Sequence, residues 1–100
     1  MTEELLQVQT HQSLQSHVHQ TLCRRENLLA EQFQLQVIPL MQHETACGLQ
    51  FLLRGPRSVR LGAVWAAEPN ALYFYDARGE RFLKQHLKSR LEPVEAIATE

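Results

Sequence analysis

The sequence is short of the features that define several large functional classes. It holds two cysteines, four glycines and four prolines in 100 residues, and aromatic side chains make up 7%. Two cysteines are too few for a disulfide-stabilised scaffold. The glycines are scattered, so they form neither a P-loop nor a dinucleotide-binding pattern. No apolar run approaches the roughly 18–20 residues that cross a bilayer, which predicts a protein with no membrane span.

The start of the chain and its cysteines indicate a reducing environment. Residues 1–4 (MTEE) are acidic where a secretory signal is basic. We therefore expect a cytoplasmic, soluble protein in which Cys23 and Cys47 stay free thiols. Alternation places Cys47 with Leu49 and Phe51 on the core side of a strand, so we interpret both cysteines as small core residues.

Charged residues are divided unevenly along the chain, although the formal net charge is −1. Residues 54–90 carry eight basic and three acidic side chains, whereas residues 1–53 carry two basic and five acidic ones. Residues 91–100 add three more acids. A basic centre between acidic flanks is compatible with ordinary surface pairing, and also with the binding of an anionic partner.

Hydrophobic periodicity predicts an α+β fold in the order α-β-β-β-β-α. A thin apolar stripe predicts a long N-terminal helix from about residue 3 to residue 32, capped by Thr2, with a break allowed at residues 24–27. Alternation predicts a four-stranded antiparallel meander with strands at residues 33–40, 47–54, 59–65 and 72–75.

Leucines four residues apart predict a C-terminal helix from about residue 80 to residue 91, ended by Pro93. We therefore expect a two-layer sandwich with both helices on one face of the sheet. The predicted domain covers residues 1–93, and residues 94–100 form a C-terminal tail.

Two local features accompany this order of elements: Trp65 within a strand, and the run DARGERF at residues 76–82 before the last predicted helix. In these respects the chain resembles the frataxins, which also place two helices on one antiparallel sheet. The resemblance implies a fold and not a function, because the acidic iron-binding ridge of that family has no counterpart in the glutamine-rich first helix.

Side-chain combinations that support catalysis or bind metals are incomplete. His19 and Cys23 share a helical face, yet two further zinc ligands at suitable spacing are missing. Cys47 and the nearby His43 could form a nucleophile–base pair, but the core-side position of Cys47 argues against it. Asp76 is interpreted as an acceptor for backbone amides of its turn. We predict no catalytic residues, no metal site and no cofactor; a cysteine- or metal-dependent enzyme is the least favoured alternative.

The second face of the predicted sheet is the best candidate for a binding surface. It combines aliphatic, aromatic and basic side chains: Leu52, Arg60, Val64, Tyr73 and Tyr75. We predict a small binding module that acts as a homodimer or as an adaptor for a protein partner, with the front of the first helix as a further contact. The alternative is single-stranded nucleic-acid binding, in which the tyrosines stack bases and the arginines contact phosphates.

Overall fold

The computed structural model describes residues 2–8 and 10–88 of the chain. Its elements are β1 (Thr2–Leu6), α1 (His11–Arg25), β2 (Leu35–Gln42), β3 (Thr45–Arg54), β4 (Arg60–Ala66), β5 (Ala71–Tyr75) and β6 (Arg81–Leu87). A short 3-10 turn, Pro56–Ser58, joins β3 to β4. The strands form one sheet in the order β1-β6-β5-β4-β3-β2. β1 pairs with β6 in parallel, and all other neighbours are antiparallel.

The N-terminal segment differs from the predicted long helix. Residues 2–6 are a strand, and the helix begins only after Thr10. The Thr10 hydroxyl accepts a hydrogen bond from the backbone N–H of Ser13 at 3.0 Å, which is the usual N-cap arrangement. The helix ends at Arg25, within the stretch in which the sequence allows a break, and Asn27 follows in the left-handed conformation with φ 55°. The predicted cap at Thr2 is therefore wrong.

The predicted C-terminal helix is also wrong, because Arg81–Leu87 is strand β6. Gln85 is buried, and its Oε1 lies 2.7 Å from the Nε2 of His17 on α1. Leu83 and Leu87, two positions to either side, pack against the core. A polar residue at a core-facing position conceals the alternation, so the two leucines imitate a helical repeat. Residues 89–100, with the predicted tail at 94–100, lie outside the described residues.

The predicted arrangement, two helices over a four-stranded meander, is thus wrong, although one helix on a sheet is compatible with an α+β fold in general. Its four strands are present as β2–β5, and β6 and β1 widen them into a six-stranded mixed sheet. The resemblance to frataxins loses its structural basis, because the described residues contain one helix and this wider sheet. The domain boundary at residue 93 stays a prediction, since it lies outside the described part of the chain.

Helix α1 covers one face of the sheet, and the core lies between them. Leu14, Val18 and Leu22 recur at helical spacing and are fully buried. They belong to one cluster with side chains from alternate positions of the central strands: Leu49, Phe51, Leu53, Leu61, Ala63, Trp65, Leu72 and Phe74. Burying one such large apolar side chain stabilises the fold by roughly 1.5–3 kcal/mol. The positions between them project from the opposite face.

Candidate functional site

The sheet face opposite α1, here called the open face, carries the residues that the sequence predicts as a binding surface. In the strand register Leu52 lies opposite Gly62, Gly62 lies opposite Tyr75, and Val64 lies opposite Tyr73. No helix of the described residues covers this face. The five predicted residues all project from it: Leu52, Arg60, Val64, Tyr73 and Tyr75. Their role in binding stays a prediction.

A shallow groove crosses the open face beside Gly62 and has a volume of about 540 Å³. Apolar, aromatic and basic side chains line this Gly62 groove, among them Leu52, Val64, Tyr75, Arg60 and Arg78. A Cβ atom on Gly62 would lie 3.3 Å from the backbone oxygen of Phe51 and 3.8 Å from the Cδ2 of Leu52. Because glycine has no side chain at this position, the bottom of the groove stays open.

Basic side chains from β6 cover the two tyrosines. The guanidinium carbon of Arg81 lies 4.5 Å from the ring centroid of Tyr73 and 5.7 Å from that of Tyr75. An Arg81 Nη2–H group also donates to the Tyr75 hydroxyl at 3.4 Å, and the Lys84 Nζ lies 5.6 Å from the Tyr73 centroid. Each cation–π contact at an exposed site contributes about 0.5–1 kcal/mol. These cations occupy ring surface that a stacked base would need.

Asp76 builds the turn between β5 and β6. Its Oδ1 accepts backbone hydrogen bonds from Arg78 at 2.9 Å and from Glu80 at 3.0 Å, which confirms the predicted turn role. Its Oδ2 lies 3.7 Å from the Nη2 of Arg25. The Glu80 amide, the Arg78 amide and the charges of Arg25 and Arg78 together outweigh desolvation and hold the pKa of Asp76 below its usual value. Gly79, with φ 80°, completes the turn in a conformation that favours glycine.

Four exposed arginines cluster where the β3–β4 and β5–β6 turns meet one end of the sheet: Arg54, Arg57, Arg60 and Arg78. Arg54 and Arg60 are directly opposite in register, with Cα atoms about 5 Å apart. Arg78 interacts electrostatically with the nearby Asp76 carboxylate, whereas Arg54, Arg57 and Arg60 form no ion pair among the side chains that the structure describes. Like charges directly opposite destabilise an antiparallel pair, so an anion bound here would relieve an unfavourable interaction.

The two thiols lie in different environments. Cys23 is buried among core residues, and this burial raises the pKa of its thiol. Cys47 is exposed, so its predicted core position is wrong. The cause is a register shift at which Leu40 pairs with Gly48 but Met41 pairs with Ala46, leaving Cys47 unpaired between them.

The predicted pairs of catalytic and metal-binding groups have other partners. The Cys47 thiol donates to the carbonyl oxygen of Leu40 at 3.4 Å rather than to the imidazole of His43. His19 Nε2 is hydrogen-bonded to the carbonyl oxygen of Phe33. Over the described ranges, no group of three or more His, Cys, Asp or Glu side chains is placed to hold a metal ion.

Three residues of the open face escape prediction from the sequence: Gly62, Arg78 and Arg81. An isolated glycine inside a strand often marks a close approach to backbone or ligand, and this signal could have identified Gly62. The sequence assigns Arg81 to a helix instead of to β6. The contacts of Arg81 with two tyrosines on β5 therefore cannot be predicted from it.

Comparison of the chain with protein-family models, with curated proteins and with solved structures finds no match. In the part of the chain that the structure describes, no helix combines the length and the hydrophobicity of a membrane span. Function is therefore inferred from the chemistry of the open face.

Proposed function

We propose that the protein is a non-catalytic binding module that holds an acidic segment of another protein on its open face. The observation that carries this proposal is the common placement of apolar, aromatic and basic side chains on an uncovered sheet surface. Leu52 and Val64 would contact aliphatic side chains of the partner, and Tyr75 would supply amphipathic contact area.

Charge complementarity favours an acidic partner. The open face and its turns carry an excess of basic side chains: Arg54, Arg60, Arg78, Arg81 and Lys84. Asp76, the carboxylate among the residues that line the Gly62 groove, is already hydrogen-bonded within its turn. An acidic segment would meet these cations with complementary potential, which accelerates association and excludes basic competitors.

The same charges oppose a symmetric dimer through this face. A twofold interface places one patch against an identical patch, so the basic side chains of this face, Arg60 and Arg81 among them, would meet the same basic patch of the second copy. The predicted homodimer would therefore have to use another surface, such as the exposed side of α1. The homodimeric state and the cytoplasmic location both stay predictions.

Single-stranded nucleic acid is the second candidate, and the cluster of four exposed arginines favours it. The covering of Tyr73 by Arg81 and Lys84 weighs against it, because base stacking needs a free ring face. We therefore rank it below an acidic protein segment.

A peptide-display selection against the full chain tests the proposal. We expect the selected peptides to be enriched in Asp and Glu interleaved with Leu, Ile, Val or Phe. Their binding should weaken about tenfold, or roughly 1.4 kcal/mol, in Arg60→Glu. Arg24→Glu is the matched control, because it makes the same charge change at an exposed site on α1.

Three outcomes would contradict the proposal. The first is a selection without acidic enrichment, and the second is equal weakening by Arg60→Glu and Arg24→Glu. The third is tighter binding of a fluorescent deoxythymidine oligonucleotide than of any selected peptide at physiological salt, which would favour the nucleic-acid candidate.

A further inference from the structure

The Gly62 groove ends at the arginine cluster of the two turns. Arg60 enters it from β4 and Arg78 from the β5–β6 turn, while Arg54 lies directly across the ladder from Arg60. The remaining wall carries the apolar or aromatic side chains of Leu52, Val64 and Tyr75, the amide of Gln50, and the Asp76 carboxylate that is hydrogen-bonded within its turn. A concentrated positive charge at one end of a mainly apolar groove matches a ligand that is anionic at one position.

We infer that this end of the groove is a subsite for a phosphate-type dianion, carried as a phosphorylated side chain on the segment that the open face binds. The inference rests on the proposed function, because the phosphorylated segment would lie along the same face. Arg60 and Arg78 would hold the phosphate oxygens, and Arg54 would add charge from the next strand.

The excess of charge favours a dianion over a carboxylate. Guanidinium groups bind carboxylate and phosphate oxygens in paired hydrogen bonds. One carboxylate would compensate a single positive charge, whereas a phosphate monoester carries close to two negative charges at pH 7 and three strong acceptor oxygens. Asp76 offsets part of the charge of Arg78. Arg54 and Arg60 form no ion pair with a described side chain, so both charges of the dianion still find a cation.

The subsite is formed before a ligand arrives. The β3–β4 hairpin is closed by hydrogen bonds from the Gly55 amide to the Val59 oxygen at 2.8 Å and from the Val59 amide to the Pro56 oxygen at 3.1 Å. Arg57 and Ser58 at its tip both have positive φ, 58° and 64°, which is strained for residues other than glycine. This tight hairpin holds the Arg54–Arg60 pair together, so binding needs little ordering of the backbone.

A nucleic acid would supply phosphates in a different pattern. A strand presents one phosphate per nucleotide and requires a basic track along its length. The arginines of the cluster instead lie at one end of the groove. Apart from Asp76, its other lining side chains are uncharged, among them Gln50, Leu52, Val64 and Tyr75. A single phosphate on a protein segment fits this distribution better.

The first test is an NMR titration of the full chain with inorganic phosphate at constant ionic strength, with acetate as the monoanion. We expect saturable amide shifts at Arg60, Gly62 and Arg78, and binding of acetate about tenfold weaker. Arg60→Gln should abolish saturation, and Arg24→Gln should leave it unchanged. Linear shifts, shifts that survive Arg60→Gln, or equal effects of acetate would overturn the inference and indicate general ionic screening.

The second test uses the acidic peptides selected on the open face, synthesised with serine or phosphoserine at successive positions. We expect one position at which phosphorylation tightens binding at least about tenfold in the natural chain but not in Arg60→Gln. If peptides bind and phosphorylation never helps, the subsite is wrong and the proposed function stands. If phosphate binds but no peptide does, the proposed function fails, and so does the peptide-borne source. If an oligonucleotide displaces phosphate more effectively than any phosphopeptide, the proposal that a protein segment carries the phosphate is likewise wrong.

Discussion

The indole N–H of Trp65 donates a hydrogen bond to the Oδ1 of Asn70 at 3.0 Å, and both side chains are buried. Asn70 also has the left-handed φ of 52° that ends the β4–β5 turn. Its backbone oxygen accepts a hydrogen bond from the Leu87 amide at 3.0 Å. One residue thus closes a turn, satisfies a buried donor and joins the meander to β6.

Asn70→Ala should destabilise the protein by about 2–4 kcal/mol. The buried indole N–H loses its acceptor, at about 1–3 kcal/mol, and alanine at positive φ adds about 1 kcal/mol. Urea unfolding followed by tryptophan fluorescence measures this, because Trp65 is the only tryptophan in the chain. Asn70→Gly tolerates the backbone conformation and should be the milder change. Equal stability of both variants and the natural chain would show that the hydrogen bond contributes nothing.

The contact between His17 and Gln85 should show strong coupling between α1 and β6. Gln85→Leu leaves the half-buried imidazole of His17 without this partner and should cost about 1–3 kcal/mol. The double variant His17→Leu/Gln85→Leu removes both polar groups, so its loss should be smaller than the sum of the two single losses. A double-mutant cycle measured by urea unfolding checks this, and strict additivity would contradict it.

This partly buried polar pair also explains how far the fold can be predicted from the sequence. Beyond the irregularity at Cys47, strands β3–β5 largely alternate between apolar and other residues. Their positions, to within about two residues, and the shared face of Leu52, Val64 and Tyr73 therefore follow from period two. In β6 the core-facing Gln85 interrupts that signal. β1 is rich in helix-favouring Glu and Leu, and its strand state depends on pairing with β6 some 80 positions away, which local propensity does not encode.

The two cysteines should react at different rates with an alkylating reagent. Cys47 is exposed, whereas Cys23 is buried and burial raises the pKa of its thiol, which lowers the thiolate fraction. We expect iodoacetamide to label Cys47 in the native protein and Cys23 only after unfolding. Mass spectrometry of digested samples, with and without urea, locates the label. Native labelling of Cys23 at a rate similar to Cys47 would contradict the buried position.

Asp76→Asn should make stability less dependent on pH in the acidic range. The pKa of Asp76 is held below its usual 3.8 chiefly by the backbone N–H of Glu80, so its carboxylate stabilises the fold above that usual value. The contribution is lost as the pH falls through the lowered pKa. Urea midpoints of both proteins at pH 7, 5, 4 and 3 should differ most at pH 7 and converge toward pH 3. A difference in urea midpoint that stays constant from pH 7 to pH 3 would show that Asp76 stabilises its turn independently of its charge.

Two glycines of the sheet should differ in how much stability they lose on substitution by alanine. A Cβ on Gly62 meets the Phe51 backbone oxygen at 3.3 Å, so Gly62→Ala should fold with a stability change within about 1 kcal/mol. The added methyl group of Gly62→Ala would fill the bottom of the groove and should weaken phosphate or peptide binding about fivefold, a modest steric loss of roughly 1 kcal/mol.

A Cβ on Gly48 would clash with the Trp65 backbone oxygen, so Gly48→Ala should lower the free energy of unfolding by about 2 kcal/mol or more. Urea unfolding and the phosphate titration of both variants separate the two effects. Unchanged binding by Gly62→Ala would show that the ligand does not reach the floor of the groove.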